Sequence, residues 1–145
     1  MLFRSDWNAD VPANGAAQLG ELAEADALGG GKPEQVYVRL TAEGFAAPAN
    51  GYFLRDHKDL ALPEATVRVT AGAGEGEVVV TASGGLARMV KLELPAAGVR
   101  FSDDYFDLLP GESRTVRIAK ADGAVDLSGL TVMAVNGKGR VGFMA

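Results

Sequence analysis

At 145 residues the chain has the length of about one domain and can bury a core without staples, and its 48% hydrophobic and 23% charged residues exclude a disordered or fibrous composition. A formal net charge of −5 with no cluster of Lys or Arg argues against nucleic acid as a partner, because that affinity comes mainly from neutralising phosphates. With no cysteine there is no disulfide, thiolate nucleophile or zinc-finger framework, and no apolar run approaches the roughly 18 residues of a membrane helix, so a soluble chain without a membrane partner is expected.

The N-terminal decapeptide MLFRSDWNAD lacks the basic segment and long apolar run of a secretory leader. None of the four asparagines, Asn8, Asn14, Asn50 and Asn136, opens an Asn-x-Ser/Thr sequon. Nothing here requires secretion, and the compartment stays unknown. Ala16 to Leu28 has helix-forming composition, but Gly20 interrupts it and no capping residue precedes it cleanly, so strand plus loop is expected over residues 1–34. GGGKP, Gly29 to Pro33, reads as a flexible connection.

From Gln35 onward the dominant period is two, which sends alternate side chains to opposite faces of a strand. Val36, Val38 and Leu40 form one such face, and Val67 and Val69 flank Arg68. Val90, Leu92 and Leu94 alternate with Lys91 and Glu93; Val116 and Ile118 enclose Arg117; Leu130, Val132 and Ala134 make a last apolar face. Each segment has one wet and one dry face, as in an antiparallel sheet with a single buried side. AGAGEG, Ala71 to Gly76, reads as a hairpin loop between TVRVT and EVVVTA, and Asn136-Gly137 is a second hairpin signal. Pro48, Pro63, Pro95 and Pro110 all fall between periodic segments, where a missing amide proton costs no ladder bond. The pattern predicts an all-β chain: one antiparallel β-sandwich over 1–145, with its core in 35–135.

Candidate chemistry is sparse. Gly31-Lys32 is followed by Pro33 instead of the Ser/Thr of a phosphate loop, and Gly72, Gly74 and Gly76 lead into Val78-Val79-Val80 instead of a helix, so neither is a nucleotide motif. His57 is the sole histidine and sits among charges in LRDHKDL, which suits a solvated loop better than a triad base and rules out a two-histidine metal site. Ser83 in TASGGL lacks the glycine two places before a nucleophile-elbow serine. No cofactor is implied.

The densest segment is FSDDYFDLLPGE, Phe101 to Glu112. Asp103, Asp104 and Asp107 do not have the spacing of a calcium loop, and adjacent carboxylates on an extended segment point apart, against the needs of a glycosidase pair. The expected roles are structural. Asp103 or Asp104 forms an Asx-type turn, the aromatics and Leu108-Leu109 close one end of a core, and Pro110-Gly111 turns the chain into a strand over Arg114 to Ile118.

FSDDYFDLLPGESRTVRI resembles a segment of the C-terminal immunoglobulin-like domain of β-mannosidases of glycoside hydrolase family 2, where a phrase close to FSDNYFDLLPGE leads into a late strand. NGYFLRDHKDLALPEATVRV, Asn50 to Val69, is similar to the family's Asn, Tyr-Phe-Leu, Lys-Asp-Leu and Leu-Pro pattern before a strand. ASGGLARMVKLEL, Ala82 to Leu94, is similar to its Ala/Ser pair before Ala-Arg-x-Val-x-Leu. Asp104 stands where the family pattern has Asn, and Gly51 interrupts the aromatic run. The resemblance covers Gln35 to about Ala134. It implies an immunoglobulin-like antiparallel β-sandwich of about seven to nine strands, accessory to an enzyme, and no catalytic residue, since the family's glutamates lie in a (β/α)₈ barrel that needs roughly 200 or more residues.

The expected function is therefore a non-catalytic accessory domain that packs against and supports a catalytic barrel and other domains of a parent enzyme. Tyr52, Phe53, Tyr105, Phe106 and Leu109 are the candidate contacts, and packing inside the sandwich is the competing role for each. The second expectation is carbohydrate binding to mannan-type chains. Sugar rings stack on exposed aromatic faces, and Trp7, Tyr37, Tyr52 and Tyr105 are the rings available, though not at the spacing of a flat platform. A free-standing adhesive immunoglobulin-like protein is a third reading, weakened by the want of a leader and of cysteine.

Overall fold

The computed structural model describes residues 4–44 and 49–145; Pro48, expected between strands, and the first three residues lie outside them. The chain divides into two compact units, residues 1–61 and 62–145, where the sequence suggests one sandwich throughout.

In the first unit a single α-helical turn, α1 (Glu24–Leu28), stands where strand plus loop is expected. Its Glu-Ala-Asp-Ala-Leu run has good helix formers, with Glu24 and Asp26 in the first turn facing the positive end of the helix dipole. Gly29 ends it in the left-handed region at φ 51°. A 3₁₀ turn, Pro33–Gln35, begins on proline, whose missing amide hydrogen is not needed there. Two short strands, β1 (Tyr37–Leu40) and β2 (Asn50–Phe53), pair antiparallel from Tyr37↔Phe53 to Leu40↔Asn50. The expected dry face of Val36, Val38 and Leu40 is not realised, because Leu40 is 59% exposed. A two-stranded ribbon has too little apolar surface to bury a full face. Gly51, which breaks the aromatic run in the sequence, lies beneath the Tyr37 ring, and an added Cβ would fall 2.1 Å from its hydroxyl oxygen. His57 is exposed in a second 3₁₀ turn, His57–Asp59, as the charged surroundings suggest.

The second unit is the sandwich. β3 (Thr66–Ala71) and β4 (Glu77–Ser83) form a hairpin paired from Thr66↔Ser83 to Ala71↔Val78, closed by the glycine-rich loop. β5 (Ala87–Glu93), β6 (Val99–Phe101), β7 (Phe106–Leu108), β8 (Ser113–Lys120), β9 (Thr131–Met133) and β10 (Val141–Gly142) follow. One sheet runs β3-β4-β8-β6 and the other β10-β9-β5-β7, with every strand pair antiparallel. Val67, Val69, Val78, Val80, Val116 and Ile118 from the first sheet meet Val90, Leu92, Phe106, Leu108, Leu130 and Val132 from the second in one core. Burying a Val or Leu side chain is worth about 1.5–3 kcal/mol, so this contact holds the two layers together.

The Asn136-Gly137 signal is a hairpin of a different kind. β9 and β10 do pair, through Val141↔Val132 and Gly142↔Thr131, but residues 134–140 connect them, and the Asn136 side chain is turned inward as a bridge. No helix among the described residues is long and apolar enough to cross a membrane.

Candidate interaction surface

The acids of FSDDYFDLLPGE are engaged one by one. Asp103 accepts from the Asp104 amide at 2.9 Å through Oδ1 and pairs with the Arg114 guanidinium through Oδ2. Asp104 Oδ1 accepts from the amides of Tyr105 at 3.0 Å and of Leu92 at 2.9 Å, tying the loop to β5. The expected Asx turn is not formed at either position: each carboxylate accepts from the amide of the next residue instead of the one two along. Asp107 receives Arg88 on both oxygens, at 2.8 and 2.7 Å, and the Met89 amide at 2.8 Å. Glu112 Oε2 accepts from the Leu109 amide, while the Glu112 amide returns to Leu109 O at 3.0 Å across Pro110-Gly111, with Gly111 at φ 86°. Proline then glycine at a positive φ is the chemistry of a type II turn, and it delivers the chain into β8 as expected.

Asp107 answers an irregularity in β5. Ala87 pairs with Leu108 and Val90 with Phe106, so β5 carries an extra residue against β7, a β-bulge at Arg88-Met89. Met89 there takes φ 47°, and Tyr105 takes φ 56°. Each left-handed residue costs about 1–2 kcal/mol in an L side chain. In both cases a carboxylate accepts the residue's own amide, Asp107 for Met89 and Asp104 for Tyr105. Since Val90 and Phe106 face the core, strand alternation sends Lys91 and Asp107 to the outer face, and the left-handed backbone of Met89 and Tyr105 leaves those two side chains exposed beside them. Met89 is 37% exposed and Tyr105 55%.

The rest of that face mixes apolar and charged groups. The register places Met133 beside Lys91, and Val135, 70% exposed, donates its amide to Arg88 O at 2.9 Å. The Lys91 ammonium lies 5.9 Å from the Tyr105 ring centroid and 2.6 Å from Glu93, which also pairs with Arg140 at 2.7 Å. The hydrogen bond from Lys91, with Arg140 adding Coulombic attraction, holds the Glu93 carboxyl below the usual carboxylate range; the same bond raises Lys91 above the usual lysine value.

The candidates from the sequence separate. Tyr105 is on the surface, Leu109 is half-buried, and Phe106 is in the core at 7% exposure, with the Arg114 guanidinium 4.7 Å over its ring. Phe106 thus takes the interior role that was its alternative. Tyr52 and Phe53 belong to the first unit, where Tyr52 is 65% exposed and Phe53 packs against Tyr37 at a centroid distance of 4.9 Å. Trp7 is half-exposed and covers Gly20. Among the described residues no group of three or more His, Cys, Asp or Glu is placed to hold a metal ion. An open depression of about 210 Å³ beside Gly76, flanked by Glu75, Arg117 and Lys120, is smaller than the roughly 300–1,000 Å³ of small-molecule sites. Met89, Arg88 and Lys91 were missed from the sequence, although Ala87 and Val90 stand three apart where a regular dry face would place them two apart.

No curated protein matches the chain. The family model Ig_mannosidase, an Ig-fold domain, matches residues 60–134 of the 145, a span that runs from the end of the first unit through β9. Sandwich topology and family match agree with the likeness carried by FSDDYFDLLPGE, and the chain belongs to the mannosidase-associated Ig-fold domain family.

Proposed function

We propose that this chain is a non-catalytic C-terminal accessory region of a β-mannosidase-like enzyme of glycoside hydrolase family 2, and that its sandwich packs against and supports the catalytic barrel of that parent. The observation that carries this reading is the pair of left-handed residues on the outer face of the β10-β9-β5-β7 sheet. Met89 and Tyr105 hold exposed apolar side chains outward at a conformational cost that the fold offsets with two carboxylates. Strain kept to expose apolar groups is better suited to a contact than to the isolated sandwich. Leu109 borders this face, and Tyr52 with Phe53 is a separate candidate contact on the first unit.

The test is a Met89→Asn/Tyr105→Asn double variant, since asparagine tolerates the left-handed region. The isolated chain should keep its Tm, while the parent carrying the same changes should lose barrel thermostability and activity half-life. A parent indifferent to both changes would sink the packing role.

A second reading, a carbohydrate-binding module for mannan-type chains, is favoured by the exposed rings of Tyr52 and Tyr105. Titration of the chain with manno-oligosaccharides, followed by amide shifts, separates the two. Shifts centred on Tyr105 or Tyr52 at millimolar sugar support binding, and a silent spectrum leaves the supporting role.

A further inference from the structure

Three of the four asparagines are followed by glycine: Asn14-Gly15, Asn50-Gly51 and Asn136-Gly137. A glycine on the C-terminal side leaves the backbone nitrogen unshielded and free to approach the asparagine Cγ, which makes this dipeptide the most prone to deamidation. The surroundings of the three differ. Asn14 and Asn50 are exposed, whereas the Asn136 side chain is built into the sandwich. Its Nδ2 donates to Pro63 O at 2.7 Å and to Leu86 O at 2.8 Å, and its Oδ1 accepts from the Arg88 amide at 3.0 Å. One primary amide thus joins the segment before β3, the turn before β5 and the bulge that projects Met89.

We propose that Asn136 is a deamidation site that the fold keeps closed, and that its modification after unfolding makes unfolding irreversible. In the reaction the Gly137 nitrogen loses its proton to base and attacks Cγ of Asn136. The new N–Cγ bond closes a five-membered succinimide, and Nδ2 leaves as ammonia. Water then opens the ring at either carbonyl, giving an aspartyl or isoaspartyl residue, so water is consumed and ammonia released with no change of oxidation state.

In the folded chain Cγ cannot rotate onto the Gly137 nitrogen without breaking all three bonds of the clamp, and that nitrogen also donates to Ala134 O at 3.1 Å. The second bond alone does not distinguish the site, because Gly15 N likewise donates to Pro12 O at 2.9 Å. Asn14 is therefore an internal control for the clamp itself.

The product cannot re-enter the site. A carboxylate offers acceptors only, and an oxygen in place of Nδ2 would face the carbonyl oxygens of Pro63 and Leu86 with no hydrogen between them. The isoaspartyl form also lengthens the backbone at a point where Ala65 N donates to Asn136 O at 3.0 Å. The fold protects the amide, and the amide is required by the fold.

The experiment incubates the intact chain at mildly alkaline pH, with and without urea, and follows amide-to-acid conversion at each asparagine by peptide mass mapping. In buffer Asn136 should convert roughly tenfold or more slowly than Asn14, and in urea the two should convert at similar rates. After removal of urea, chains modified at 136 should fail to regain the native thermal transition, while chains modified only at Asn14 should regain it. The same loss is expected of Asn136→Asp. Equal native rates at Asn14 and Asn136, or full recovery of Tm by chains modified at 136, would overturn the proposal.

Discussion

Asp104 and Asp107 hold neighbouring left-handed residues, but they do so with different chemistry, and this separates their substitutions. Both bonds accepted by Asp104 end on Oδ1, and an amide carbonyl supplies the same acceptor. Asp104→Asn, which restores the residue of the family pattern, should therefore shift the urea midpoint by less than about 0.5 kcal/mol equivalent. Asp104→Ala leaves the Leu92 and Tyr105 amides without their acceptor and should cost about 1–3 kcal/mol. Asp107 uses both oxygens and its charge, on Arg88 and on the Met89 amide, with the two side chains only 17% and 16% exposed. Asp107→Asn should thus be clearly destabilising where Asp104→Asn is not, by about 1–3 kcal/mol, and chemical denaturation of the two variants side by side checks the contrast. Equal losses in the two variants would mean that charge governs both positions, and two neutral variants would mean that an uncharged acceptor suffices at both.

The β3–β4 hairpin shows the same logic one scale up. Gly76 takes φ 68° and its carbonyl accepts from Ile118 N at 2.7 Å, so an added Cβ would lie 2.5 Å from Ile118 O. Gly76→Ala should cost roughly 2 kcal/mol or more from the left-handed backbone and the displaced β8 contact, read as a lower urea midpoint. The next residue carries the pH dependence. A hydrogen bond from Arg117, then one from the Gly74 amide, holds the Glu77 carboxyl below its ordinary value, and the Ser128 amide does the same for Asp126. The folded state therefore binds fewer protons than the unfolded one in acid. These carboxylates add stability that is complete above their unfolded pKa and is lost as pH falls through the depressed folded value. Lys91, raised by Glu93, has the opposite sense, and its contribution is lost only as pH rises through a value above the usual lysine range. Between about pH 5 and pH 3 the urea midpoint should fall, Glu77→Gln should flatten part of that fall, and added salt should flatten more because the pair is on the surface. Strands with a strict period of two, such as Val67-Val69 and Val116-Ile118, were legible in the sequence because each has one dry face. β7 was hidden in a run of acids, β6 and β10 are two or three residues long, and α1 lies in a unit whose periodicity is weak. Of the site, Tyr105 and Leu109 could be read as candidates, but the outward turn of Tyr105 and the inward turn of Phe106 depend on a left-handed residue that no composition signals.

At the scale of the whole sandwich, the last residues close the edge between the two sheets. After β10 pairs with β9, Phe143 N donates to Leu130 O at 2.9 Å, and Met144 N donates to Val69 O at 3.0 Å, a carbonyl of β3 in the opposite sheet. A parallel bridge joins Thr70 to Met144, another joins Ala65 to Gly137, and Val141 and Phe143 pack against the core. The family match ends at residue 134, before all of these contacts. A chain ending at Ala134 would keep every strand of the matched span yet leave the edge of β3 unpaired and Leu130 partly uncovered, and an open edge is a template for association. Such a chain should unfold at a lower urea midpoint and form larger species by light scattering during gel filtration. Met144→Pro tests the edge contact, since proline has no amide hydrogen to donate to Val69; its restriction of Phe143 to extended backbone suits a strand end, and it should cost about 1 kcal/mol. If the truncated chain stayed monomeric with an unchanged midpoint, the C-terminal residues would be an ornament on a sandwich already closed by β3 to β9. If it aggregated while Met144→Pro did not, the closure would rest on the Asn136 bonds to Pro63, Leu86 and Arg88 together with Val141 and Phe143 filling the core, and the bond to Val69 would only align them.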